Sequence, residues 1–137
     1  MKDQATRDEE ARLTQRMREY LKEFPFYNPD HWVSTNIHDE GISISYGPTS
    51  NRPRNIGKTQ FDIEIVDATC FILGFEIERS KRRQGYGTQL HKIIERFCIE
   101  ELKCRRYQTH ASAESTRGFR AAMGFQAVSD RKLVKVL

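Results

Sequence analysis

Along the first part of the chain, apolar positions recur with helical spacing. Leu13, Met17, Tyr20, Leu21 and Phe24 form one stripe, which predicts a helix over about residues 7–23. Thr6-x-x-Glu9 reads as a capping box at its start and Pro25 as its stop. An aromatic segment with Phe24, Phe26, Tyr27 and Trp32 follows. From Trp32 the pattern changes to strands, Trp32 to Ile37 and Gly41 to Tyr46, around a turn at His38-Asp39-Glu40-Gly41. Pro48 to Gly57 is a polar loop. Gln60 to Val66 and Thr69 to Glu78 then read as a hairpin across Asp67-Ala68. In its second arm Phe71, Leu73, Phe75 and Ile77 alternate, and the spacing predicts that they form one buried face. Leu90, Ile93, Ile94, Phe97, Cys98 and Leu102 mark a second helix from about Gly87 to Lys103, with His91, Lys92, Glu95, Arg96, Glu100 and Glu101 on its solvated side. Strand-like runs at Tyr107 to Ala111 and Lys132 to Val136 follow. The order is helix, antiparallel meander, helix, strand, helix, strand. It predicts a mixed α/β (α+β) domain with a mostly antiparallel central sheet flanked by helices.

Composition narrows the class. With 137 residues, 37% apolar and 31% charged, the chain fits one globular domain over residues 1–137. No run is apolar enough for a bilayer span or a signal peptide, so a cytoplasmic location is expected. Cys70, Cys98 and Cys104 are too few for a disulfide framework and too irregular for a zinc site. Cys70 and Cys98 fall on predicted core positions. Cys104 stands between Lys103 and Arg105, next to Arg106, and is the expected reactive thiol.

The chemistry concentrates in Arg82-Arg83-Gln84-Gly85-Tyr86-Gly87-Thr88, between the predicted strand and the second helix. Glycines at a helix start let a turn present consecutive main-chain N–H groups at the positive end of the helix dipole, which suits an anionic pyrophosphate. The spacing is neither that of the nucleotide-kinase loop nor the three-glycine dinucleotide fingerprint. Glycines with arginines can also be no more than a tight, soluble connection.

These residues resemble motif A of the GNAT superfamily of N-acetyltransferases, Arg/Gln-x-x-Gly-x-Gly/Ala at the end of the fourth strand, here Arg82, Gly85 and Gly87. Phe119-Arg120-Ala121-Ala122-Met123-Gly124-Phe125 is similar to the short helix and Gly-Phe strand start that close the family's cofactor site. Together the two cover residues 69–128, the expected cofactor-binding core, with residues 1–24 as an N-terminal helix. The resemblance implies acetyl coenzyme A as co-substrate and no metal. Ile77 and Glu78 would contact the pantetheine arm, and Arg82, Arg83, Gln84, Gly85, Tyr86, Gly87 and Thr88, with Phe119, would hold the rest of the cofactor. Family members usually begin with a strand before the first helix. This chain begins with the helix, so the N-terminal half is shortened, or the segment from Trp32 takes that strand's place.

The catalytic groups depart from the family pattern. Its usual proton-donating tyrosine, four residues before the Gly of Gly-Phe, is Arg120 here. The asparagine seven residues further back is Ala113, and the early fourth-strand acid/base positions are Phe71 and Leu73. Arg120 cannot donate a proton at neutral pH but can stabilise a thiolate. Glu76 and His110 are the candidate bases, at the ends of strands near the turn. The expected activity is direct transfer of an acetyl group to an amine. The alternative is a binding module that keeps the cradle, or only the fold, and acts as an acyl-CoA sensor or a protein or nucleic-acid partner. The net charge of +4 and pI near 9.1 do not by themselves indicate nucleic acid. Arg79, Lys81, Arg82 and Arg83 suit the cofactor's phosphates, and Lys103, Arg105 and Arg106 suit a helix C-terminus. An exposed edge in a short sheet makes a homodimer an expectation.

Overall fold

The computed structural model describes residues 2–48, 57–110, 123–128 and 132–137. Helix α1 (Gln4–Leu21) opens the chain, followed by β1 (Trp32–His38), β2 (Gly41–Gly47), β3 (Gln60–Val66) and β4 (Thr69–Glu76). A 3-10 turn, Arg79–Lys81, leads to α2 (Tyr86–Leu102), and β5 (Arg106–His110), β6 (Gln126–Ala127) and β7 (Lys132–Val136) complete the fold. The seven strands form one sheet in the order β1-β2-β3-β4-β5-β7-β6, and each pairing is antiparallel except β4 with β5. A parallel pair needs a long crossover, which α2 supplies. The Trp32 segment is the edge strand of the sheet. The polar loop over residues 49–56 and the short helix expected near residues 119–122 lie outside the described residues.

The apolar stripe of α1 is buried as its spacing predicts, with Leu13, Met17, Tyr20, Leu21 and Phe24 all at or below 7% exposure. It packs on β1 and α2, where Tyr20 meets Phe97 edge-on at 5.4 Å. The start of α1 differs from expectation. Asp3 is the N-cap and its Oδ1 accepts the N–H of Thr6 at 2.8 Å, so Thr6 is inside the helix and forms no capping box with Glu9. A carboxylate one turn earlier satisfies the same orphan donors and adds a favourable charge at the positive end of the dipole.

Strand β4 also departs from its predicted pattern. Ile63 pairs with Ile72 and Asp62 with Gly74, so Leu73 has no partner across the ladder and forms a bulge. The extra residue inverts the phase of the strand. Cys70 and Ile72 face the core before it, and Phe75 and Ile77 after it. Leu73 is left 65% exposed and Phe71 half-buried, so the four alternating apolar residues do not share one face. A further consequence lies on the other side of β4. Its parallel pairing with β5 runs over Thr69–Arg106, Cys70–Tyr107 and Phe71–Gln108, and among the described residues it ends there, two residues before the bulge at Leu73.

Asp67 and Ala68 both have positive φ (50° and 59°), as a two-residue hairpin requires, and the Ala68 carbonyl accepts the N–H groups of Arg105 and Arg106, anchoring the turn to the start of β5. Helix α2 is buried on more of its circumference than its apolar stripe suggests. His91 is 0% and Glu95 9% exposed, against the expectation that both face water. Helix α1 covers one flank and the sheet another, and Glu95 enters the interior paired with Lys135 of β7 at 2.7 Å.

Candidate active site

Where β4 leaves the sheet, the chain is held by its own side chains. The N–H of Glu78 donates to Thr59 Oγ1 (3.0 Å), its carbonyl accepts from the Lys81 N–H (2.8 Å), and its carboxylate pairs with Lys81 Nζ at 2.7 Å. That hydrogen bond keeps the Glu78 carboxyl below the usual carboxylate range. Arg82 Nε donates to the Ile77 carbonyl at 2.7 Å, and Gln84 Nε2 to the Ser80 carbonyl at 3.2 Å.

These contacts fold residues 77–84 into a tight turn that ends in two left-handed residues, Arg83 at φ 63° and Gly85 at φ 84°. An arginine in that region is uncommon and is sustained only by its surroundings. Gly85 is the N-cap of α2 and brings no capping side chain, so among the described residues the first N–H groups of the helix are left without a side-chain cap. A Cβ at Gly85 would meet nothing within 4 Å, so glycine serves the backbone angle there, and the mouth of the turn is open. Arg83, Gln84 and Gly85 are exposed. Open, uncapped amides at a helix start, flanked by arginines, are a fit for a pyrophosphate.

Ile77, Glu78 and Arg82 to Thr88 therefore form one continuous element, with Glu76 at its head. Glu76 Oε1 is buried and has no hydrogen-bond partner among the described residues. His110 ends β5, beyond the point where that strand leaves β4; its side chain lies outside what is described, as do Phe119, Arg120 and Ala113. Cys104 is not the expected reactive thiol. It is 5% exposed, and its hydrogen bond with Cys98, together with burial, pushes the thiol pKa up. The neighbouring cations are directed to solvent while the sulfur faces the core. Among the described residues no group of acidic, histidine or cysteine side chains could hold a metal ion.

Two groups near the turn were not legible in the sequence. Phe26, from the segment after α1, packs edge-on against Tyr86 at 4.6 Å and takes the Lys81 ammonium on its face at 4.4 Å. The segment after α1 is thus docked onto the cradle. Further along, His31 Nδ1 lies 2.7 Å from Tyr46 Oη and accepts the Asn28 N–H at 3.3 Å, and burial lowers its pKa. Beneath the parting strands, His91 stacks on Phe75 with centroids 3.8 Å apart and an interplanar angle of 18°, and its Nδ1 lies 2.9 Å from Tyr107 Oη. Its signal in the sequence is helical spacing to Ile94, Cys98 and Leu102, which puts His91 on the border of the apolar stripe. A groove of about 550 Å³ along β5, β6 and β7, lined by Arg106, Gln108, Lys132 and Val134 among others, contains no cradle residue.

A family model described as the acetyltransferase (GNAT) family matches residues 6–125. No curated protein matches the sequence. Solved structures share the fold at low identity. An acetyltransferase from Bacillus cereus superposes with a TM-score of 0.58 at 16% identity, covering 100% of this chain and 97% of that one. One from Streptococcus agalactiae gives 0.53 at 16% identity, covering 69% and 67%. The PaiA N-acetyltransferase of Thermoplasma acidophilum, solved in complex with coenzyme A, gives 0.50 at 14% identity over 57% of this chain and 52% of that one, so the match spans about half of that enzyme.

Proposed function

The chain belongs to the acetyltransferase (GNAT) family, and from that premise we propose that it is an acyl-CoA-dependent N-acyltransferase that moves acetyl directly from acetyl coenzyme A to an amine. The observation that carries this reading is the open turn at Gly85, with left-handed backbone and an uncapped α2 start, at the end of a bulged β4 that parts from β5. The reading takes residues 1–137 as one domain with its cofactor-binding core at 69–128.

The co-substrate supplies an activated thioester carbonyl. Main-chain amides of Arg83 to Thr88 would hold its pyrophosphate, and the main chain of Ile77 would pair with the pantetheine arm. Glu78, whose N–H and carbonyl are both engaged, holds the turn through Lys81. Arg82 has the same task through the Ile77 carbonyl. Glu76, with a buried carboxylate oxygen free of hydrogen bonds among the described residues, is suited to take a proton from the attacking amine. His110 is the second candidate for that step, and Arg120 is assigned to stabilise the departing thiolate by charge. Positioning supplies most of the rate in such a transfer, so no metal is called for.

Isothermal calorimetry with acetyl coenzyme A tests the cradle, and thiol release with a panel of amines and peptides tests the chemistry. Saturable binding that inorganic pyrophosphate weakens, with turnover on at least one amine, is the expected result. Binding without turnover on any acceptor would favour the sensor reading, which the arginine at position 120 supports; absence of binding would end both.

A further inference from the structure

Among the described residues the pairing of β4 with β5 ends at Phe71 and Gln108, and past that point one side chain bridges the two strands. The side chain in that place is an imidazole. His91, in the second turn of α2, is 0% exposed. It lies flat on Phe75 at 3.8 Å, immediately before Glu76 and Ile77 on β4, and its Nδ1 is 2.9 Å from the hydroxyl of Tyr107 on β5. Tyr107 is itself 0% exposed and meets Phe125 edge-on at 5.4 Å. One ring thus joins the strand assigned to the pantetheine arm, the strand that ends in His110, and the helix that begins at the cradle.

An apolar side chain would fill this part of the α2 stripe without the desolvation that a buried imidazole carries. What the imidazole adds is direction. A hydrogen bond fixes the Tyr107 rotamer and the plane of the ring against which Phe75 rests. From this arrangement we infer that His91 is a positioning residue, setting the separation of β4 and β5 where they part, and with it the affinity and alignment of the thioester carrier. The role rests on the acyl-CoA reading of the cleft.

The test compares His91→Leu, His91→Asn and Tyr107→Phe in the full chain. Coenzyme A affinity is read by calorimetry, stability by thermal melting, and KM for acyl-CoA and for the amine are read separately. Leucine is the better helix former and the more apolar filler, so a role in packing alone would rank His91→Leu above His91→Asn in every readout. Asparagine can return a polar atom to the position of Nδ1. The expected result is a roughly tenfold to hundredfold loss of kcat/KM for acyl-CoA in His91→Leu and Tyr107→Phe, with KM for the amine unchanged. Affinity in His91→Asn should partly recover although its melting temperature is the lower. The double variant His91→Leu with Tyr107→Phe should be no worse than either single one. Wild-type affinity in His91→Leu, or affinities that simply follow melting temperature, would overturn the inference while leaving the acyl-CoA reading intact. If His91→Leu does not fold, Tyr107→Phe, which removes one oxygen, decides the matter. A wild-type protein that does not bind coenzyme A overturns the reading of the cleft and this role with it.

Discussion

Gly85 sits at φ 84° with open space where a side chain would project, so its requirement is conformational. A β-branched residue in the left-handed region costs roughly 1–2 kcal/mol and would relax by closing the turn. Gly85→Val is therefore expected to lower the melting temperature by a few degrees and to abolish the calorimetric signal with acetyl coenzyme A, whereas Gly57→Val, in a left-handed residue at φ 83° outside the cradle, should share only the thermal loss. At Glu76 the expectation is reversed. On the proposed role of Glu76 as the base, Glu76→Gln should leave binding of acetyl coenzyme A intact while kcat falls about 10²–10⁴-fold in a thiol-release assay. The buried thiols make a third case. The folded protein should leave all three cysteines unlabelled by an aromatic disulfide reagent, and labelling should appear only on unfolding. The Cys104 thiol is raised by Cys98 and by burial. Its contribution to stability is thus full below the ordinary thiol range and is lost as pH rises above it.

At the scale of elements, α1 and β4 each show a local choice with a consequence at a distance. The Asp3 carboxylate caps α1 and also fixes where the chain enters the helix that covers β1 and α2. Asp3→Ala should lower the denaturant midpoint measurably, and Thr6→Ala much less, because Thr6 contributes its backbone N–H and not its hydroxyl. A larger loss from Thr6→Ala than from Asp3→Ala would contradict the observed cap. In β4 the bulge at Leu73 turns one strand into two half-strands of opposite phase. The first half pairs with β5, and the second turns Phe75 and Ile77 toward the core, so the bulge decides which residues of β4 lie inward.

For the whole molecule, the apolar contact between the two helices is bordered by charge around one aromatic ring. Glu101 receives Arg16 at 3.1 Å and Arg12 at 3.6 Å, Tyr20 Oη donates to Glu100 at 2.9 Å, and Glu23 pairs with Arg96. The Arg16 and Arg96 guanidiniums lie over the Tyr20 ring at 5.5 and 5.1 Å. The hydrogen bond from Arg16 holds the Glu101 carboxyl below its usual value of 4.5. A carboxyl lowered in the folded state stabilises fully above its unfolded value and loses that contribution as pH falls through the folded one. Stability should therefore decline below about pH 4.5. Glu101→Gln should cost about 1 kcal/mol at neutral pH and flatten this part of the acid profile, and molar salt should have a similar effect. An acid profile unchanged in that variant would show that the Glu101 ion pairs add nothing to the apolar packing of the helices.

Much of this organisation was legible in the residues themselves. The stripe Leu13, Met17, Tyr20, Leu21 and Phe24, the hairpin at Asp67-Ala68, and the strand, glycine turn and helix around Gly85 depend on period and backbone preference, which are local properties. The tertiary structure alone decided which alternating residues of β4 face inward, because a bulge changes phase without changing composition. It also decided that His91 and Glu95 are interior, because the covered arc of a helix depends on how many neighbours it has. Cys104 follows the same logic, since its charged neighbours in sequence point one way and its sulfur the other. Local chemistry sets the period of each element and the place of the cradle; contacts between distant segments set the phase, and with it the groups that meet beneath the cleft.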